Sequence, residues 1–233
     1  MTFQHNASVI ANGKFAALDI VANSQTNKQH MQCPKTDIEK SILHAADKVF
    51  YQKGFSKASM REIADISGVG LSNIYNYFRS KDELFHRMVR PVILAFETML
   101  DEHHGKNNAD ISMMHSDKYL RKSIDEYITL IKKHRKQLVL LFFKSQGSSL
   151  ENFKTEFTNR STDLVKQYFL AMKLKYPQVN TDISMFSVRL HSVWMFALFE
   201  ELLMNNIRPK DIDKIVTEYI TFEVTGWREL MKI

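Results

Sequence analysis

The chain has 233 residues, a formal charge of +6 and a pI near 9.2. It is long enough to bury a substantial core, in one large or two small domains, and its excess of cations suits a polyanionic partner. A single cysteine, Cys33, excludes an internal disulfide and any multi-cysteine zinc or iron–sulfur centre, and no apolar run approaches the ~18 residues of a membrane span. Only 7 Gly and 4 Pro, with long stretches of three-four apolar spacing, predict an all-α fold; the default location is the reducing cytoplasm.

In chain order, residues 1–33 carry only three formal charges (Lys14, Asp19 and Lys28) amid Asn, Gln, Ser and Thr, and are expected to be a disordered extension, with Met31 as an alternative start. Three Ser/Thr-x-x-Glu spacings then follow, each ahead of an apolar periodic run: Thr36/Glu39, Ser59/Glu62 and Ser80/Glu83. This is the capping-box pattern, so three successive helices are expected. The first carries Ile38, Ile42, Ala45, Ala46, Val49 and Phe50 and stops at Gly54; the second ends at Gly68, where a left-handed residue closes a helix. Between the second and third, Leu71 to Phe78 reads as a further short helix with Ile74 and Phe78 inward. Two short helices joined by Gly68-Val69-Gly70 have the form of a helix-turn-helix, placing a DNA-binding head over 34–90. That head has ten Lys/Arg against seven Asp/Glu, a surplus of only three, so its contacts must be placed rather than numerous.

The helix from Lys81 is expected to reach His104, with a bend or weakened ladder at Pro91. Gly105 to Asp117 reads as a loop. The remainder of 91–233 reads as a helical effector-binding and dimerisation body: helices over 118–146 with a break near 132–135, over 149–175, over 182–206, and from Lys210 after Pro209. The last two are apolar on most sides. One carries the stripe Ile183, Phe186, Leu190, Val193, Trp194, Ala197 and Leu198; the other carries Tyr219, Ile220, Phe222, Val224 and Trp227. A helix apolar all round is covered all round, so these two predict a homodimer interface; a central core helix within a monomer is the alternative.

At this point the sequence resembles the amino-terminal domain of TetR-family transcriptional regulators. The resemblance rests on Gly54-Phe55, Ser59-Met-Arg61-Glu-Ile63-Ala64, Gly68-Val69 and Ile74-Tyr75-Asn-Tyr77-Phe78-Arg-Ser-Lys81-Asp-Glu-Leu84. It implies an all-helical homodimer on a palindromic double-stranded DNA operator, most often a repressor released by a small molecule. An activator using the same head, or a helical sensor that does not bind DNA, are the alternatives. It implies that Tyr75 and Tyr77 touch phosphates or base edges, and that Lys81 anchors a phosphate at a helix start, where free amides favour an anion. Arg61 is placed to reach a phosphate or guanine, Thr36 and Lys57 to make outer phosphate contacts, and Leu71, Ser72, Asn73 and Asn76 to face the groove. Gly70 stands where the family commonly has Ser or Thr, leaving that helix without a side-chain cap.

In the body, Phe142, Phe143, Gln146, Tyr168, His191, Trp194 and Phe199 offer aromatic walls with polar handles, the composition of a site for a partly apolar or aromatic effector. His103-His104 reads as a solvated helix end rather than a metal site. Gly147-Ser148-Ser149 lacks nucleophile-elbow spacing, and no His and acid pair with it. Neither catalysis nor a cofactor is expected.

Overall fold

The computed structural model describes residues 32–105, 110–205 and 207–233. The extension predicted over 1–33, with its alternative start at Met31, lies outside the described residues apart from its last two. Every regular element among the described residues is a helix: α1 (Gln32–Lys57), α2 (Met60–Ser67), α3 (Leu71–Ile74), α4 (Lys81–His104), α5 (Ile111–His115), α6 (Asp117–Phe143), α7 (Phe153–Lys175), α8 (Met185–Met204) and α9 (Pro209–Met231). The architecture is the all-α one that composition and periodicity predict.

The capping boxes meet three different outcomes. Ser59 accepts from the Glu62 amide at 3.1 Å, while the Glu62 carboxylate turns to Lys53 at 2.7 Å. Ser80 accepts from the Glu83 amide at 3.0 Å, and Glu83 returns a contact to the Arg79 amide at 2.7 Å, closing the loop one residue earlier than the motif requires. Thr36 does not cap: α1 begins at Gln32, with Pro34 in the first turn, where a missing amide leaves no bond unmade. Gly54 ends the regular part of α1 as expected, at φ +74° and ψ 169°, and a single turn through Lys57 follows.

The head closes on Ile42, Ala45, Ala46, Val49 and Phe50 of α1, Ile63 and Ala64 of α2, Ile74 and Phe78, and Leu84, Phe85 and Val89 of α4. Phe50 and Phe55 meet the Phe85 ring edge-on at 5.1 and 5.4 Å. α4 runs through Pro91 without a break and carries its buried stripe into the body. There Phe96 is ringed by Phe142, Phe153, Phe157, Phe196 and Phe199 at 5.5–6.1 Å. One continuous apolar cluster thus joins Ile42 of the head to Val224 of α9. A second, around Tyr168, Phe169, Met172, Val188 and Met231, closes the far end. α6 breaks at His134 (φ −116°, ψ 22°), inside the predicted interval.

The two apolar carboxy-terminal helices are covered on one side only. α8 buries Val188, Met195, Phe196, Phe199, Leu202 and Leu203, whereas Phe186 is 72% exposed and Trp194 46%. α9 leaves Phe222 69% and Leu230 50% exposed. Among the described residues, no helix is long and apolar enough to cross a membrane.

The two glycines of the α2–α3 turn should respond oppositely to substitution. Gly68 sits at φ +69°, and nothing lies within 4 Å of where a Cβ would stand, so Gly68→Ala should cost about 1–2 kcal/mol from backbone strain alone. Gly70 has φ −54° and equally open space, so Gly70→Ser should gain only about a few tenths of a kcal/mol by capping α3. Urea midpoints of the two variants check both signs.

Candidate nucleic-acid interface and internal cavity

The turn between α2 and α3 is braced from inside. Ser67 donates its hydroxyl to the Ala64 carbonyl at 3.1 Å and accepts from the Val69 amide at 3.3 Å. Ser41 of α1 ties the Ser67 carbonyl down at 3.0 Å. α3 itself is shorter than Leu71–Phe78. Its regular part ends at Ile74, and the backbone tightens into i→i+3 bonds, Asn76 N to Asn73 O at 3.0 Å and Tyr77 N to Ile74 O at 2.9 Å. Ile74 and Phe78 anchor its two ends in the core, leaving Ser72, Tyr75 and Asn76 exposed between them. Asn76 donates to the Asn73 side chain at 3.3 Å, which aligns the two amides. Arg61, Lys57 and Thr36 are exposed.

Three residues of the predicted DNA set are turned inward. Leu71 and Tyr77 are half-buried and pack against the head core, because α3 lies flat on it. The Lys81 ammonium folds back to donate to the Phe55 and Ala58 carbonyls at 2.7 and 2.9 Å, 4.3 Å above the Phe55 ring. Two of its three donors are thereby engaged at the end of α1, where the Phe55 carbonyl has only a long bond from the Ala58 amide at 3.2 Å, and burial holds its pKa below the ordinary lysine value.

A second structural joint was not legible in the sequence. The Phe55 amide donates to the Lys144 carbonyl at 2.8 Å, past the end of α6. Asp82, in the first turn of α4, accepts from the Ser149 amide at 2.8 Å and from its hydroxyl at 2.7 Å, and His86 Nε2 lies 2.9 Å from the same hydroxyl. Gly147, at φ +83°, lets this loop lie against Ser56. The expectation that no His and acid pair with this stretch is thus corrected: both reach the Ser149 hydroxyl, but Asp82 takes that hydroxyl itself rather than orienting the imidazole, and Ser148 closes a turn onto the Ser145 carbonyl.

In the body α4 to α9 line a partly closed cavity of about 120 Å³. Met99, Leu100, His103 and His104 enter it from the last turns of α4, Tyr119, Ser123 and Tyr127 from α6, Tyr168 from α7, His191 and Ser192 from α8, and Glu223 and Trp227 from α9. His103 is not solvated. It bonds Tyr119 at 2.8 Å and Glu126 at 2.5 Å. His104 Nδ1 is buried without a partner, and burial, assisted by His103 and His191, pushes its pKa down to about 3. Glu223 is 6% exposed; one oxygen takes His191 Nδ1, and the other has no partner. Burial raises Tyr168 to about 12 and raises Tyr119 and Tyr127 further, keeping all three phenols protonated at neutral pH. Among the described residues, no group of three or more His, Cys, Asp or Glu is placed to hold a metal ion.

Residues 42–88 match the family model described as bacterial regulatory proteins, tetR family. The amino-terminal head therefore carries the DNA-binding domain of the TetR family. Among its relatives, an uncharacterized HTH-type transcriptional regulator, YfiR of Bacillus subtilis, is 33% identical over 104 residues, 45% of this chain and 43% of that protein. The HTH-type transcriptional activator FasR of Mycolicibacterium smegmatis is 37% identical over 59 residues, 25% of this chain and 27% of that protein. The matches thus span less than half the length of these curated relatives. The whole fold is shared with NalD, the secondary repressor of the MexAB-OprM multidrug efflux pump in Pseudomonas aeruginosa. That likeness has a TM-score of 0.59, covers 82% of this chain and 96% of that one, and comes with 19% identity, so it speaks to the fold alone.

In the body the predicted aromatic set divides. Tyr168 and His191 line the cavity. Phe142 and Phe199 instead pack around Phe96; Phe143 and Gln146 are exposed at the end of α6; and Trp194 lies on the outer face of α8. Composition alone cannot tell a cavity wall from a core ring. The residues that sequence reasoning missed, His104 and Glu223, are polar groups on otherwise buried helical faces, which was the available signal.

His104 makes the stability of the protein acid-sensitive. Its folded-state pKa near 3 lies below the ordinary histidine value of 6.5, so between these values the unfolded chain binds the extra proton and lowering the pH favours unfolding. The contribution is complete above pH 6.5 and is lost progressively towards pH 3. Urea midpoints should fall across that window, and His104→Leu should flatten the decline.

Proposed function

We propose that this protein is a homodimeric transcriptional repressor that binds a palindromic operator through its amino-terminal head and is released by a small molecule held in the body cavity. The observation that carries the reading is the exposed edge Ser72, Tyr75 and Asn76, braced from within by Ser41, Ser67 and Ile74 and flanked by Arg61 and Lys57. Exposed asparagines suit adenine edges, and the flanking cations suit phosphates. Tyr75 is the central contact. Leu71 and Tyr77 act by holding that edge at its height, and Lys81 by fixing the start of α4, with one remaining donor for a phosphate. Arg79, exposed in the turn before α4, joins the phosphate set.

The half-exposed faces of α8 and α9, with Phe186, Val193, Trp194, Phe222 and Leu230, pair with the same faces of a second copy in a four-helix bundle. α4 connects cavity to head. It is 24 residues long, about 36 Å at 1.5 Å per residue, with the cavity at one end and Lys81 at the other. Operator half-sites lie ~34–36 Å apart or a multiple of it, so a shift of α4 that changes the separation of the heads loses contacts on both. The effector must favour the arrangement that does not fit DNA.

Sequences selected from random DNA give an operator for fluorescence anisotropy. Tyr75→Ala should weaken binding by about 1–3 kcal/mol with an unchanged urea midpoint, and affinity should fall steeply with salt. Phe222→Asp combined with Trp194→Asp should yield monomers by light scattering and lose operator affinity. No selected sequence, or unaltered affinity in the Tyr75 variant, would refute the head assignment.

A further inference from the structure

The cavity has a directional charge character. Of the side chains that line it, Glu223 is the carboxylate, and neither a lysine nor an arginine is among them. Arg228, one position beyond the lining residue Trp227, commits its guanidinium to the Met114 and Ser116 carbonyls at 2.7 and 3.3 Å. Glu223 has one oxygen on His191 Nδ1, which the Trp227 indole N–H also faces at 3.3 Å; its other oxygen is buried with no hydrogen bond of normal geometry, the nearby hydroxyl being that of Tyr219, one turn back on α9 and outside the cavity lining. A buried carboxylate oxygen left unpaired is costly, and the site gains most from a guest that brings a donor, above all a charged one. The rest of the wall mixes polar side chains, among them His103, His104 and Ser192, with an apolar and aromatic part formed by Phe157, Val165, Phe169, Met195 and Trp227. An apolar cavity of roughly 150 Å³ holds benzene, and this one is about 120 Å³, so the body of the guest is limited to one small ring or its equivalent unless the helices move apart.

We propose that the effector is a small organic amine, its apolar part of single-ring size against Phe157, Phe169 and Trp227 and its ammonium donating to the free oxygen of Glu223. This rests on the reading of the cavity as the effector site. The same geometry disfavours carboxylates, which would meet Glu223 where the adjacent His191 is already committed to it and no lysine or arginine lines the cavity.

Benzylamine, benzyl alcohol and benzoate share a ring and differ in charge at one end. In NMR titrations of the full-length protein at neutral pH, benzylamine should bind roughly five- to tenfold more tightly than benzyl alcohol, the difference between a charge-assisted bond and a neutral one, and benzoate should be weakest. Glu223→Gln should bring benzylamine to the level of the alcohol. Benzoate binding as tightly as benzylamine, no binding of benzylamine, or an unchanged affinity in the Glu223→Gln variant would each overturn the proposal. Should that variant not fold, the ligand series on the unmodified protein decides. Anisotropy on the operator separates the two readings: benzylamine bound through Glu223 while the DNA complex stays intact supports the ligand class and refutes the effector role. Release of DNA by benzoate, with benzylamine inert, refutes the ligand class and leaves the effector role standing.

Discussion

The junction around Phe55 is the constraint on which the placement of the head depends. Its carbonyl and that of Ala58 receive the Lys81 ammonium, its ring lies beneath the same charge, and its amide bonds Lys144 past the end of α6. Three helices therefore meet at one residue: the end of α1, the start of α4 and the end of α6. Carbonyls at a helix terminus carry partial negative charge and are incompletely satisfied, the Phe55 one having only the Ala58 amide at 3.2 Å, so a cation stabilises them by on the order of 2 kcal/mol for the pair of bonds. Gly54, in a backbone region that disfavours side chains, is what turns Phe55 into this position. A lysine that resemblance assigns to a phosphate thus carries a structural duty first.

The joint between Asp82 and Ser149 adds a second attachment of the same kind, and the unbroken apolar cluster from α1 to α9 fills the space between. The head is an extension of the body core rather than a bead on a linker. On the proposed function, a movement of α4 in the body would be passed to α3 through these attachments. The cavity at the other end of α4 has the opposite character. His104 and Glu223 in its wall each bury a polar atom with no hydrogen bond of normal geometry, an arrangement that lowers stability and that a binding role would account for.

Much of this was legible in the sequence because it is local. Ser59 and Ser80 announce their helices through bonds three residues long, Gly54 and Gly68 through their permitted backbone angles, and α8 and α9 through an apolar surface too wide for one side of contact. What stayed hidden depends on residues far apart in the chain. Thr36 has the cap spacing, yet the helix starts before it. Leu71 to Phe78 has helical periodicity, yet anchoring at Ile74 and Phe78 tightens it into turns. The Phe55–Lys144 bond joins residues far apart in the chain, and no periodicity encodes it. Phe142 and Phe199 have the composition of a pocket and the position of a core, a distinction made by which helix faces which.

The central claim is that head and body move as one unit through Phe55 and Ser149. Amide hydrogen exchange on the full-length protein tests it most directly, residue by residue. The Phe55 and Ser149 amides, which donate to Lys144 and Asp82, should exchange as slowly as the α4 amide of Val89, opening only with the core. Rapid exchange at Phe55 and Ser149 while Val89 stays protected would mean that the head hangs loosely from the body, and would contradict the account.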